Sequence, residues 1–198
     1  RVDAPTTGSD YFIQLTYKPN KQLEMYGRFK RESKAINYNP DEQVLNPLVY
    51  QPRQNMRLQV NYKINPQFTV RNGVELVWFD KRAGAASQGA TIYADVLYKP
   101  MMKPFAANIR LQYFETDDYN SRLYAYESDV LYSFSIPVFY LKGYRYYFNI
   151  NYDLTKKLTV WGRWAQTIYP DRTSVGSGLD EIKGKKKSEF KLQAIYKF

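Results

Sequence analysis

The chain ends in SEFKLQAIYKF (residues 188–198), a stretch whose side chains alternate in polarity with a period of two. Because side chains of a β-strand point alternately to opposite faces, the stretch predicts a strand with one apolar face and one polar face. The apolar face contains Phe190, Leu192, Ala194, Tyr196 and Phe198. The polar face contains Glu189, Lys191, Gln193 and Lys197, with Ile195 as an exception. A half-buried strand of a soluble protein would alternate in the same way, so other features must separate the two classes.

The same strand ending recurs along the chain. An apolar residue, a spacer, a tyrosine and a charged residue also follow one another at 15–18, 60–63, 96–99 and 150–153. KQLEMYGRF (21–29) and KKLTVWGRW (156–164) are near copies of each other, which indicates repeated hairpins. Short turns follow the tyrosine endings, whereas the connections near 32–54, 80–89, 115–143 and 170–187 are longer and more polar.

Aromatic residues collect at both ends of the predicted strands. Beside the short turns lie Tyr17, Tyr62, Tyr98, Tyr152 and Tyr196. Near the long connections lie Phe29, Trp78, Tyr113 and Trp164. Two such girdles are typical of the membrane interfaces of outer-membrane β-barrels. The alternative, a soluble β-rich binding module, would bury its apolar faces in a core and gives no reason for girdles.

Composition excludes several classes of protein. The longest run without a charge covers only 130–141, too short for a membrane-spanning helix, whereas a barrel strand needs only about ten alternating residues. The chain has no cysteine and no histidine, which excludes His-dependent nucleophiles and the usual zinc sites. We therefore expect no enzyme, no cofactor and no metal site. Acidic pairs in predicted loops are expected to be solvated rather than calcium ligands: Asp117 with Asp118, Glu127 with Asp129, and Asp180 with Glu181.

These patterns predict an all-β fold, an antiparallel up-and-down transmembrane β-barrel region covering residues 1–198. Residues 1–10 are expected to form a loop, since they are polar and contain Pro and Gly. If Phe198 lies in the periplasm, strand parity makes 115–143 a long extracellular loop or hairpin. About nine strands remain. Complete bacterial barrels normally have an even number, so we expect this chain to be the carboxyl-terminal part of a larger barrel.

The polar strand faces carry many charges. The side chains expected to face the lumen are Arg28, Arg57, Arg71, Glu75, Asp95, Arg110, Arg145 and Arg163. They predict either an interior network of ion pairs that braces the barrel or a positive pore that favours anions. The chain carries 29 basic and 19 acidic side chains, but strand alternation spreads them out, so nucleic acid is not an expected partner.

Two stretches resemble a known group of proteins. GSGLDEIKGKKKSEFKLQAIYKF (176–198) and RLYAYESDVLYSFSIPVFYLKG (122–143) resemble the carboxyl-terminal barrel region of Bacteroidota outer-membrane proteins with helix-hairpin-helix domains ahead of the barrel. The resemblance covers most of the second half, and it implies an alternative function as the barrel part of a DNA-uptake-related envelope protein. This chain lacks the helix-hairpin-helix segment. Tyr196 and Phe198 resemble the signal that the barrel-assembly machinery recognises.

The sequence thus predicts a pore, transport or structural component in the outer membrane of a Gram-negative bacterium, without catalysis. Expected partners are outer-membrane lipid and lipopolysaccharide, the barrel-assembly machinery and other envelope proteins. The lysines at 185–187 precede the last strand on the long-loop side, where they would meet lipopolysaccharide phosphates.

Overall fold

The computed structural model describes residues 4–38, 47–80, 86–176 and 178–198. The strands in these ranges are β1 (Ser9–Tyr17), β2 (Leu23–Asn37), β3 (Leu48–Lys63), β4 (Phe68–Phe79), β5 (Ser87–Tyr98), β6 (Phe105–Thr116), β7 (Leu123–Tyr124), β8 (Val138–Phe139), β9 (Lys142–Asp153), β10 (Leu158–Ile168), β11 (Ser174–Val175), β12 (Ile182–Lys183) and β13 (Lys186–Tyr196). Two short 3-10 turns cover Tyr119–Ser121 and Gly178–Asp180. No helix in the described ranges has the length and apolar character needed to cross a membrane.

The long strands form one nine-stranded antiparallel sheet in the order β1-β2-β3-β4-β5-β6-β9-β10-β13. Each strand pairs with its predecessor in this order, which confirms the predicted all-β, up-and-down architecture and the strand number. The short strands form two separate pairs, β7 with β8 and β11 with β12. Among the described residues, β1 and β13 each have a neighbour on one side only.

Three of the short turns use the same local device. The side-chain oxygen of Asn20 accepts hydrogen bonds from the backbone N–H groups two and three residues later, at 2.9 and 2.8 Å. Asn65 does the same at 2.9 Å for both bonds, and Thr155 does so at 3.1 and 3.0 Å. These side chains replace backbone turn bonds and therefore fix where each hairpin reverses.

The sheet exposes its apolar face and buries its charged face. Leu111 and Leu192 point outward and are 63% and 70% exposed. On the opposite face Asp95, Arg110 and Arg163 are at most 1% exposed. A soluble sandwich requires the reverse arrangement, because its apolar faces must meet in the core. The apolar band is instead suited to a lipid environment.

Several strands extend beyond their predicted ends. β2 continues to Asn37 and β3 begins at Leu48, so the predicted loop 32–54 is much shorter, and its residues 39–46 lie outside the described ranges. The extension lacks apolar alternation because both faces of 31–37 carry polar side chains, among them Lys34, which pairs with Glu32 at 2.8 Å. β5 begins at Ser87 within the predicted loop 80–89, of which 81–85 lie outside the described ranges. At the amino terminus, residues 4–8 precede β1 without forming a strand, and residues 1–3 are not described.

Residues 117–141, here called the inward segment, connect β6 to β9. They contain the expected hairpin, since Leu123 pairs with Phe139 and Glu127 forms a bridge with Ser135. The hairpin does not extend away from the end of the sheet as an outer loop would. It folds back over the polar face, where Leu123 and Glu127 are fully buried. The side of the membrane on which it begins stays a prediction.

Candidate functional site

The part of the inward segment next to the sheet, here called its root (Leu123, Ala125 and Phe139), packs in an apolar cluster on the otherwise polar face. This cluster consists of Val77, Phe114, Leu123, Ala125, Phe139 and Tyr169. The Phe114 ring lies 5.1 Å from that of Phe139 and 5.8 Å from that of Tyr169. Gly89 allows the close approach, because a Cβ atom there would lie 2.4 Å from the Ser121 carbonyl oxygen. Burial of these side chains therefore seats the segment against β4, β5 and β6.

From the root onward, side chains of the nine-stranded sheet, here called the wall, bind the backbone of the inward segment at every second residue. Four wall side chains donate to alternate carbonyl oxygens: Arg53 to Arg122 at 2.5 Å, Arg57 to Tyr124 at 3.1 Å, Arg110 to Tyr126 at 2.8 Å, and Asn149 to Ser128 at 2.6 Å. The donors belong to β3, β6 and β9, so the segment crosses the sheet. Hydrogen bonds from charged donors are about twice as strong as neutral ones. The backbone of 122–128 is thus held in one path.

Glu127 lies at the centre of the crossing. Its carboxylate accepts two hydrogen bonds from Arg145, at 2.6 and 2.8 Å, and a further short one from Arg163. The carboxylate is fully buried, and both guanidinium groups are almost completely so. The expectation that Glu127 carries solvated loop charge is therefore wrong. Topology is the cause, because the segment returns this residue to arginines on β9 and β10.

Asp129 extends the same network to the last strand. It forms ion pairs with Arg163 at 3.2 Å and with Lys191 at 2.6 Å. Its side chain is also buried, so its expected solvation is wrong too. Glu189 completes the group, 3.3 Å from Arg163 and 3.2 Å from Lys191. We call this group the ionic lock, and its three acidic residues balance three basic ones: Glu127, Asp129 and Glu189 with Arg145, Arg163 and Lys191.

A second group of ion pairs lies on β3, β4, β5 and β6. Asp95 pairs with Arg110 at 2.7 Å and lies 3.6 Å from Arg71. The Arg110 guanidinium also stacks on Tyr93, with its carbon 4.1 Å from the ring centroid. Glu75 accepts a bond of 2.9 Å from Arg57. Arg57, Arg71, Glu75, Asp95 and Arg110 thus form direct ion pairs on the polar face, as a bracing network requires.

The remaining predicted lumen residue, Arg28, lies at the less covered end of the polar face. Its guanidinium donates to the Gln14 side-chain oxygen at 2.9 and 2.7 Å. All eight predicted side chains are therefore on one face. Contact between them and a water-filled lumen stays a prediction.

The predicted girdle residues lie on the outward face. Tyr17, Tyr62 and Tyr196 are exposed beside the short turns, as are Phe29, Trp78 and Trp164 nearer the other end. Tyr98 packs between Phe68 and Phe105, with ring centroids 4.7 and 5.1 Å away. The remaining two show the same outward placement: Tyr113, 5.3 Å from the Tyr144 ring, and the exposed Tyr152. Tyr196 contacts Phe198 at 5.4 Å, and the roles of both in membrane assembly stay predictions.

Other acidic residues have local roles. Asp118 accepts a hydrogen bond of 2.6 Å from the Ser87 hydroxyl and caps the turn at Tyr119–Ser121. Asp117 accepts one of 2.8 Å from the Gln88 N–H. Asp180 and Glu181 are exposed. Across the described ranges, acidic side chains do not gather in threes to hold a metal ion.

The lock should respond to acid through Asp129. Burial alone would raise the pKa of this carboxyl, but hydrogen bonds from Lys191 and the Val130 N–H, with the charge of Arg163, lower it below its ordinary 3.8. A lowered pKa stabilises the folded state fully above the unfolded value, and this is lost as pH falls through the folded value. We expect pepsin to cleave the inward segment faster at pH ~2 than at pH ~4, when each rate is divided by that for an unstructured substrate at the same pH. Asp129→Asn should already be cleaved fast at the higher pH, whereas exposed Asp171→Asn should match wild type; equal rates for all three would contradict the role of Asp129.

Sequence reasoning missed Glu127 and Asp129, two of the three acidic residues of the ionic lock. The signal was present at 123–127, where Leu123, Ala125 and Glu127 alternate with Tyr124 and Tyr126. This period of two predicts an extended segment with one buried face, and that face includes the glutamate. Val77 and Phe114, which interrupt the polar faces of their strands, mark where the segment packs.

Comparisons with known proteins support the fold. No family model matches the chain, and no curated protein matches it either. Two solved structures of OmpT, an outer membrane protein of Vibrio cholerae, are similar to it. The in-vitro folded form has a TM-score of 0.56 at 10% identity, and the outer-membrane expressed form has 0.54 at 12%.

Each match covers 96% of this chain but only 55% and 56% of the OmpT chains, so this chain spans little more than half of their length. At such low identity the likeness concerns architecture alone. It agrees with the exposed apolar face and the buried charged face described above. The chain has the fold of an outer-membrane β-barrel.

Proposed function

We propose that the chain forms barrel wall in the outer membrane of a Gram-negative bacterium, and that this barrel is a narrow passage for small solutes. The observation that carries the proposal is the inverted sheet, apolar and exposed outside, charged and covered by the inward segment inside. A segment that crosses the polar face narrows the space inside the proposed barrel, and no movement of the segment is needed for this. Passage through such a barrel depends on the charges that line it.

The open sheet requires further strands in a bilayer. Unpaired N–H and C=O groups on the free edges of β1 and β13 would find no water in the hydrocarbon region. We propose that additional strands pair with both edges and close a larger barrel. Two known structures in which a similar sheet forms part of a longer chain support this.

The proposed partners follow from the outer surface. Lipid contacts the apolar band, and the exposed Lys186 and Lys187 at the start of β13 suit lipopolysaccharide phosphates. Tyr196 and Phe198, exposed at the end of β13, suit recognition by the barrel-assembly machinery. Contacts with other envelope proteins remain part of the proposal. The relation to DNA uptake rests on the sequence resemblance alone.

The proposed role involves no catalysis. Four of the buried acidic groups that a general base would require are engaged: Glu75, Asp95, Glu127 and Asp129 each pair with arginine or lysine. Their oxygen atoms are occupied by these pairs, so none of the four carboxylates faces the interior as a free group.

Ion conductance across a planar bilayer tests whether the protein forms the proposed passage. Folded in detergent together with the strands that close its barrel, the protein should insert into a planar bilayer and conduct small ions in discrete steps, because the inward segment leaves space beside β2 and β3. Insertion without conductance would overturn the passage. It would favour a purely structural role, which the balanced ionic lock also suits.

A matched pair of variants tests whether the apolar face of the sheet lies in a membrane. Leu111→Arg places a charge in the middle of the outward face and should lower membrane stability by about 2–4 kcal/mol, which would abolish most insertion. Leu179→Arg, in an exposed turn, should insert like wild type. A soluble module would tolerate both changes, since both leucines would lie in water. Equal insertion of the two variants, or a monodisperse protein without detergent, would contradict the membrane assignment.

A further inference from the structure

A cavity of about 360 Å³ lies between the inward segment and strands β2, β3 and β4. We call it the basic recess, after the five basic side chains in its lining: Arg28, Lys30, Arg53, Arg57 and Arg122. Glu32 and Glu75 are the two acidic residues of the same lining. The recess therefore has three more basic than acidic groups. The ionic lock across the sheet, with three of each, has no such excess.

The excess rests on Arg28, Arg53 and Arg122, of which Arg28 donates to the Gln14 side-chain oxygen at the edge of the recess. Lys30 is paired with Asp10 and Glu32, and Arg57 is paired with Glu75. Within the described part of the chain, neither Arg53 nor Arg122 has a carboxylate within 4.0 Å, the distance of an ion pair. Both are half-buried, so water compensates their charges only in part.

Neutral groups hold both guanidinium groups in place. Arg53 donates to the carbonyl oxygen of Arg122, which brings the two residues together. Arg122 donates to the Tyr124 hydroxyl at 2.8 Å and to the Tyr119 carbonyl at 2.9 Å. Its guanidinium carbon also lies 4.4 Å from the Tyr119 ring centroid. These contacts fix the arginines without neutralising them, and each keeps N–H donors for another acceptor.

We propose that the basic recess binds a small oxyanion, a phosphate or carboxylate group, between Arg53 and Arg122. Planar guanidinium groups bind such anions through paired hydrogen bonds. A bound anion would also relieve the repulsion between two neighbouring cations. Arg28 and Lys30 line the same cavity and add to its positive potential. The inference rests on the proposed passage in naming its solutes as anions, but the site itself does not require conduction.

Calorimetric titration of the full chain in zwitterionic detergent tests the site, with pyrophosphate and citrate as separate probes. We expect one binding site, and a loss of about tenfold or more in affinity when Arg53→Gln and Arg122→Gln are combined. Arg53→Lys with Arg122→Lys should keep part of the binding, since lysine retains charge without the planar fork. A stronger response to one probe would distinguish phosphate from carboxylate as the preferred group.

The matched control removes the same charge elsewhere. Lys21→Gln with Lys157→Gln changes two exposed cations in the short turns and should bind both probes like wild type. Equal affinity of the double arginine variant and wild type would overturn the site, as would an equal loss in the control. Hydrogen exchange of 122–128 checks that each variant keeps the inward segment in place. Binding without conductance would leave the site standing and overturn the passage alone.

Discussion

Glu127→Gln is expected to release the inward segment from the wall. The change removes the carboxylate that faces Arg145 and Arg163 and leaves two buried guanidinium groups with too little opposite charge. Removal of one partner from a buried pair typically costs about 3–5 kcal/mol. The apolar cluster at the root and the strand pairing of the wall do not depend on this carboxylate. The loss should therefore appear as local opening of the segment, with the sheet intact.

Amide hydrogen exchange with the detergent-folded protein would measure this effect. Residues 126–134 should lose protection by about two orders of magnitude or more, while β3 to β6 keep theirs. In bilayers the same variant should conduct more, because a freed segment no longer narrows the interior. Glu181→Gln, which removes an exposed loop carboxylate, serves as the control. Unchanged protection in Glu127→Gln would mean that the ionic lock does not hold the segment.

Phe114→Ala is expected to destabilise the root of the same segment, through lost apolar packing rather than through lost charge pairing. The ring is fully buried against Phe139 and Tyr169, and a Phe→Ala change at such a site costs about 3–5 kcal/mol. The cavity would lie between β6 and the root at Leu123. Opening should thus begin at the root and include residues 121–125, which Glu127→Gln leaves packed.

Denaturant unfolding, followed by refolding into vesicles, gives the free energy of unfolding for this comparison. Phe134→Ala is the matched control, since this ring lies in the same segment but is 74% exposed, with its centroid 5.6 Å from that of Tyr126. It should cost less than about 1 kcal/mol. Similar losses for the two alanine variants would show that the cluster around Phe114 does not anchor the segment.

The strands and their faces were predictable because alternation is a local property of each strand. Leu192 and Leu111 each belong to the apolar side of their own strand, so local alternation reports their placement directly. Strand ends were less predictable, since the upper part of β2 and β3 has polar side chains on both faces. Backbone pairing continues there, but period-two hydrophobicity does not.

The ionic lock could not be read from the chain in the same way. Glu127 binds Arg145, 18 residues away, and Arg163, 36 residues away. These pairs exist only because the connection folds back over the sheet. Alternation does place Asp95 and Glu75 on the same face as the arginines of neighbouring strands, and the structure pairs them there. The partners contributed by the inward segment depend on tertiary folding, which a charge pattern does not encode.

The backbone carbonyls at 122, 124, 126 and 128 have a consequence for how such a chain can evolve. The wall arginines and Asn149 recognise main-chain oxygen atoms, which every amino acid provides. Tyr124 and Tyr126 direct their side chains to exposed positions. Mutations at these two positions can therefore change the exposed side chains while the path of the segment is inherited unchanged. In the proposed passage, new selectivity can arise by exchange of single side chains on a backbone that keeps its course.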